Sequence, residues 1–290
     1  MTNRRASKSA SGRVSEAIRA DSEASRLTGK LLKRAFFEDA PERVAPRLLG
    51  KLLVLRTRAG VMAGRIVEVE AYLGPHAETA DLAAHSHRGP TPRNQVLFGP
   101  AGHAYVYSIY GLYFCMNFSC EKAGHGGGVL LRALEPVAGL EQMARNRGLP
   151  PFSFAAAKET DGATARKGRG NPKIDPTIAA TNEKDGATMG NGRGNACELT
   201  SGPGRLCQAM GLTREKHNGL DLLDPKSPLQ VRDDGMKVTR VLVTRRIGIR
   251  HAVELPLRFA LAGNGCVSGP KRMAGRVVIL RSGRASRLLR

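Results

Sequence analysis

Residues 51–72 read KLLVLRTRAGVMAGRIVEVEAY. Apolar side chains recur with a period of two on either side of Arg58-Ala59-Gly60, where turn residues interrupt the pattern. The stretch predicts two paired strands joined by a short turn. Alternation in the second strand puts Glu68, Glu70 and Tyr72 on one face and Val67, Val69 and Ala71 on the other. The apolar face predicts core. The polar face has two readings: a solvated strand surface, or a site where a carboxylate enclosed by tyrosine acts as a general base.

The same patterning continues outward. HAYVYSI (103–109) and LYFCMNFS (112–119) predict two strands around Gly111, and GGVLLRALEP (127–136) predicts another. MKVTRVLVTRRIGI (236–249) and LPLRFALAG (255–263) predict late strands. Helices are expected at 28–39, at 41–50 with a stop at Gly50, at 137–148, and at 201–211, which opens on Ser and Pro and ends on Gly. Strands come in groups rather than alternating with helices, so the fold class is α+β with a largely antiparallel sheet.

Three segments lack a core-forming pattern: a basic tail at 1–27, an insertion at 152–196 rich in Gly, Ala, Thr and Asn, and a basic tail at 271–290. They are expected to be disordered, because too little apolar surface is present to offset ordering entropy. The folded domain is then 28–270, interrupted by 152–196. Glu16, Asp21 and Glu23 set the N-terminal tail apart from an organellar transit peptide.

A formal charge of +21 points to an anionic partner, nucleic acid above all. No apolar run approaches the ~18 residues of a membrane span, so no membrane partner is expected. Five cysteines, an odd number without CxxC pairs, predict an intracellular chain without structural disulfides. His85 and His87 form an H-x-H pair with no third ligand at metal spacing, and no metal or cofactor is expected. Arg93, in the segment GPTPRN stiffened by two prolines that precede it, is a candidate phosphate contact.

Four of the five tyrosines fall in YVYSIYGLYFCMN, 105–117. Cross-strand aromatic pairing explains part of this cluster. Tyr110 beside the turn glycine is not placed as a core residue is. An apolar tip on a basic protein suits a wedge in a nucleic-acid duplex, with a tyrosine behind it stacking on a base.

Six blocks, GRIVEVEAYLGP, AAHSHRGPTPRN, YVYSIYGLYFCMN, VLLRALEPVAGLE, LTSGPGRLCQAMG and RRIGIRHAVELPLRF, resemble in order the alkyladenine DNA glycosylases, the mammalian-type 3-methyladenine DNA glycosylase family. The resemblance covers about 45–268. It implies a single mixed domain around a curved antiparallel sheet, acting in base-excision repair. The substrate is double-stranded DNA with damaged purines: 3-methyladenine, 7-methylguanine, and deaminated or etheno bases.

It also implies roles. Glu70 is the general base for the attacking water, Arg132 helps hold that water, and the Ile247 carbonyl helps position it. Tyr72 and Tyr107 stack on the flipped base, and His85, or its neighbour His87, hydrogen-bonds it. Asn117 excludes the 2-amino group of guanine, and Tyr110 fills the gap in the duplex. No lysine lies in these motifs, so the enzyme is expected to be monofunctional. It is expected to be an intracellular monomer, in the cytoplasm or at the nucleoid of a bacterium or in the nucleus of a eukaryote. Two other classes stay open: a non-catalytic nucleic-acid-binding protein of the same fold, and an acyl-transfer enzyme, for which neither a P-loop nor GxGxxG is present.

Overall fold

The computed structural model describes residues 29–109, 111–150, 196–269 and 275–280. The readings for 1–27, for 152–195 and for Tyr110 lie outside the described residues.

Among the described residues ten strands join one sheet. They are β1 (Lys30–Leu31), β2 (Leu52–Thr57), β3 (Gly60–Tyr72), β4 (Ala104–Ile109), β5 (Tyr113–Cys120), β6 (Gly127–Ala138), β7 (Leu229–Asp233), β8 (Arg240–Thr244), β9 (Arg258–Leu261) and β10 (Arg276–Ile279). The main order is β1-β7-β2-β3-β6-β5-β4, and β9 joins β3 to β8, which pairs β10. Every described pairing is antiparallel. Among the described residues four short α-helices accompany the sheet: α1 (Pro41–Leu48), α2 (Leu140–Asn146), α3 (Pro203–Met210) and α4 (Arg214–His217). This is the α+β class expected from the grouped strands.

β3 organises the sheet because it is long enough to pair twice along one edge. Its first half meets β2 through the turn at 58–59, and its second half meets β9 at Glu68, Val69 and Glu70. β6 lines its other edge, with irregularities around Glu68 where Ala133 and Leu131 are partners of Glu68 and Val69. Arg132 is the extra residue there, a β-bulge of the kind that re-aims a side chain. α1 buries Val44, Ala45 and Leu48 and packs on β3 and β6. α3 buries Leu206, Cys207, Ala209 and Met210 against β5 and β6 and ends at Gly211, whose φ of 67° gives the left-handed cap.

Four expectations are corrected. The stretch 28–39 is not a helix but β1 followed by a 3-10 turn at Arg34–Phe36. Pairing of Lys30 with Asp233, and the ion pair of Arg34 with Asp221 at 2.6 Å, override its helical periodicity. The polar face of β3 is not solvated, since Glu68 and Glu70 are both fully buried. Cys197 and Cys266 form a disulfide with Cα atoms 4.6 Å apart, while Cys115, Cys120 and Cys207 are free and buried. The cysteine count could not show this, because the pair is 69 residues apart and meets only through the fold. Within the C-terminal tail, Arg276–Ile279 is β10, held by the backbone of β8.

Candidate active site

One row of cross-strand partners builds the site. Tyr105 on β4 faces Asn117 on β5, Asn117 faces Leu130 on β6, Leu130 faces Glu70 on β3, and Glu70 faces Arg258 on β9. Directly opposed residues point to the same side of a sheet, so five strands deliver this row to one face. Residues two positions along add Tyr72, Tyr107, Cys115 and Arg132.

Above this face lies a cavity of ≈ 370 Å³. Its walls include Tyr72, His85, Tyr105, Tyr107, Cys115, Asn117, Arg132 and Ile247. Glu70 has no exposed surface and sits behind that wall. Tyr72 and Ile247, which do line the cavity, donate to it, and Arg132 on the same wall forms an ion pair with it. The Tyr72 hydroxyl reaches Oε2 at 3.0 Å. The Ile247 amide reaches Oε1 at 2.8 Å, and Arg132 Nη1 lies 3.2 Å from the same oxygen. A carboxylate oxygen accepts about two hydrogen bonds. Oε1 takes the amide hydrogen bond and the guanidinium contact, while Oε2 takes one hydrogen bond and has a second lone pair. The contact at Ile247 is its N–H, where the sequence resemblance pointed to its carbonyl.

The tyrosines are tuned by the same enclosure. Burial, then the neighbouring Glu70, raises the Tyr72 phenol well above its ordinary value. Burial, then Cys115, raises Tyr107 likewise. Both keep their protons and remain neutral, electron-rich rings. Cys115, opposite Tyr107 in register, is pushed up to about 11, mainly by burial. Burial opposes the charge of Arg132, but Glu70 and Glu68 beside it outweigh that and raise its pKa.

His85 lines the cavity with its ring 4.4 Å from that of Tyr107. Burial, then Arg93, lowers its pKa below 6.5, so the imidazole is neutral at physiological pH. Its Nδ1 meets the Tyr105 hydroxyl at 3.1 Å. His87 does not line the cavity: its Nδ1 meets Ala84 O at 2.8 Å and its Nε2 accepts from Arg88 at 3.2 Å. Of the two histidines, His85 is the one on the cavity wall. Asn117 brings a buried amide to the wall, and among the described residues its Nδ2 has no acceptor. Arg93 is exposed, donates to Ser108 O at 3.2 Å and lies 5.8 Å from the Tyr107 ring centre. At the hairpin end Leu112 is 77% exposed and Gly111 takes a φ of 70°, a turn conformation suited to glycine.

Three contributors escaped the sequence reading. Tyr105 stacks on Tyr107 at 5.3 Å besides meeting His85, and its spacing of two from Tyr107 was the available signal. Cys115 was detectable only as the register partner of Tyr107. Arg246 lies 4.6 Å over the Tyr72 ring and pairs with buried Asp81 through two contacts of 2.7 Å. That pair ties the loop carrying His85 to the segment carrying Ile247.

A family model described as methylpurine-DNA glycosylase matches residues 35–265. A protein of Koribacter versatilis, provisionally named a 3-methyladenine DNA glycosylase, is 43% identical over 240 residues, 83% of this chain and 94% of its own. One from Methanoculleus marisnigri with the same provisional name is 43% identical over 241 residues, 82% of this chain and 98% of its own. Another, from Nitrobacter winogradskyi, is 39% identical over 249 residues, covering 86% and 92% of the two chains. The chain belongs to the methylpurine-DNA glycosylase family.

Proposed function

We propose that this protein is a monofunctional DNA glycosylase that removes alkylated purines, 3-methyladenine and 7-methylguanine, from double-stranded DNA. Deaminated and etheno purines belong to the same proposed range. It acts as a monomer inside the cell. The observation that carries the reading is the cradle of Glu70, two hydrogen bonds and an ion pair, behind a tyrosine-lined wall.

The target nucleotide leaves the duplex and enters the cavity, with Tyr110 filling the gap it leaves and Arg93 meeting a backbone phosphate. A purine methylated at N3 or N7 is cationic. The Tyr72 and Tyr107 rings offer it cation–π attraction, worth roughly 0.5 to 2 kcal/mol per ring. Neutral His85 supplies a hydrogen bond without opposing the base's charge. A donor on Asn117 opposes another donor, and so disfavours the 2-amino group of an undamaged guanine. The cationic base is a good leaving group, so a second carboxyl acid of the kind ordinary glycosidases use is not needed. As the glycosidic bond breaks, the sugar gains oxocarbenium character. Glu70 stabilises that charge, and the open direction on Oε2 takes the proton of the water that attacks the sugar carbon.

The test is single-turnover base release from duplexes carrying an alkylated purine, ethenoadenine or hypoxanthine, by wild type and Glu70→Gln. Wild type should release the alkylated base, and Glu70→Gln should bind the same duplex without releasing it. Release by Glu70→Gln at the wild-type rate would overturn the mechanism.

A further inference from the structure

Glu68 lies two residues before Glu70, on the same face of β3, and is also fully buried. It sits outside the cavity wall. Its Oε1 accepts from Arg132 Nε at 2.8 Å and from Arg258 Nε at 2.7 Å, and its Oε2 accepts from the Ser268 amide at 2.6 Å. Arg132 Nη2 also reaches Ser268 Oγ at 3.3 Å. Arg258 is held from its other side by Thr244 Oγ1 at 3.0 Å and Ser268 O at 2.9 Å. Two buried carboxylates and two buried guanidiniums thus form one charge-balanced cluster.

The division of Arg132 is the informative part. A guanidinium left alone with a carboxylate favours a two-pronged, fork-to-fork contact. Here the Nε edge is taken by Glu68 and Nη2 by Ser268, so Nη1 is the group that meets Glu70. The second oxygen of Glu70 is thereby spared.

Resting on the glycosylase reading, we propose that Glu68 is a positioning residue for base excision. It holds Arg132 side-on, so that Arg132 orients Glu70 through one oxygen and leaves the other to take the proton of the attacking water. Arg258 balances the charge of Glu68 and fixes its angle. Ser268 closes the clamp from the loop after β9. Glu68 does not touch the reacting atoms and acts through Arg132.

In Glu68→Gln one carboxylate oxygen becomes an amide donor facing a donor, and Arg132 is released toward Glu70. The single-turnover excision rate on an alkylated-purine duplex should fall about tenfold or more. The dissociation constant for that duplex should stay within about threefold. Because the effect runs through Arg132, Glu68→Gln should change the rate by less than about twofold in an Arg132→Gln background. Ser268→Ala, a mild change that keeps the backbone contact to Glu68, should lower the rate severalfold, and again not in the Arg132→Gln background. It supplies the same test if Glu68→Gln fails to fold. Equal rate losses in both backgrounds, parallel losses of rate and binding, or an unchanged rate in folded variants would overturn the proposal. An inactive wild type would instead overturn the glycosylase reading beneath it.

Discussion

Tyr72 donates its hydroxyl to Glu70 Oε2 at 3.0 Å, so one side chain supplies both an aromatic face to the cavity and a hydrogen bond to the carboxylate behind it. The two functions separate in Tyr72→Phe, which keeps the ring. A hydrogen bond to a charged group is worth about 1.5 to 3 kcal/mol. The excision rate of Tyr72→Phe should therefore fall roughly 10- to 100-fold, while lesion-duplex affinity changes little. Single-turnover rates and equilibrium binding on one duplex check this.

His85 makes stability depend on pH. Its folded pKa lies below the unfolded value of 6.5, chiefly through burial, so below that value the unfolded chain takes up a proton that the folded chain refuses. The stabilising contribution is complete above pH 6.5 and is lost as pH falls from there toward the lower folded value. His217, also lowered by burial, adds a contribution of the same sign. Urea midpoints should drop between about pH 7.5 and about pH 5.5, and His85→Gln should flatten, but not remove, that slope.

Asp81 and Arg246 form an ion pair whose side chains are both fully buried. Asp81→Asn leaves the guanidinium without its carboxylate. Breaking such a pair costs about 3 to 5 kcal/mol. A lowered thermal midpoint is expected. Excision should also weaken, because the substitution loosens the anchor of the loop that carries His85 to the residue just after β3, where Asp81 accepts from Leu73 N at 3.0 Å.

The Cys197–Cys266 bridge closes a loop spanning 69 residues of sequence. Removing a disulfide that closes a long loop costs roughly 2 to 4 kcal/mol. Cys197→Ser, or wild type under strong reductant, should unfold at a lower denaturant concentration than oxidised wild type. Cys207→Ser should keep the wild-type dependence on reductant, since Cys207 is a free cysteine and the bridge remains.

Much of the fold was legible because strand patterning is local. The alternation in KLLVLRT and GRIVEVEAY placed β2 and β3, and the glycine-centred hairpin placed β4 and β5. β1 and β10 were not legible. Each is short, β1 within a stretch of helical periodicity, and each is a strand only because a distant partner offers free backbone groups, β7 for one and β8 for the other.

The site divides the same way. By itself the sequence determined which side chains share a face of a strand: Glu68, Glu70 and Tyr72 on β3, and Tyr105 and Tyr107 on β4. Period-two geometry requires this. Only the tertiary structure decided what those faces meet. Register lined Tyr105, Asn117, Leu130, Glu70 and Arg258 into one row, and burial turned a polar strand face into a charge-balanced interior. The physical reason is desolvation. Two carboxylates side by side belong in water unless arginines from other strands reach them, and Arg132 and Arg258 are 62 and 188 positions from Glu70 in the chain.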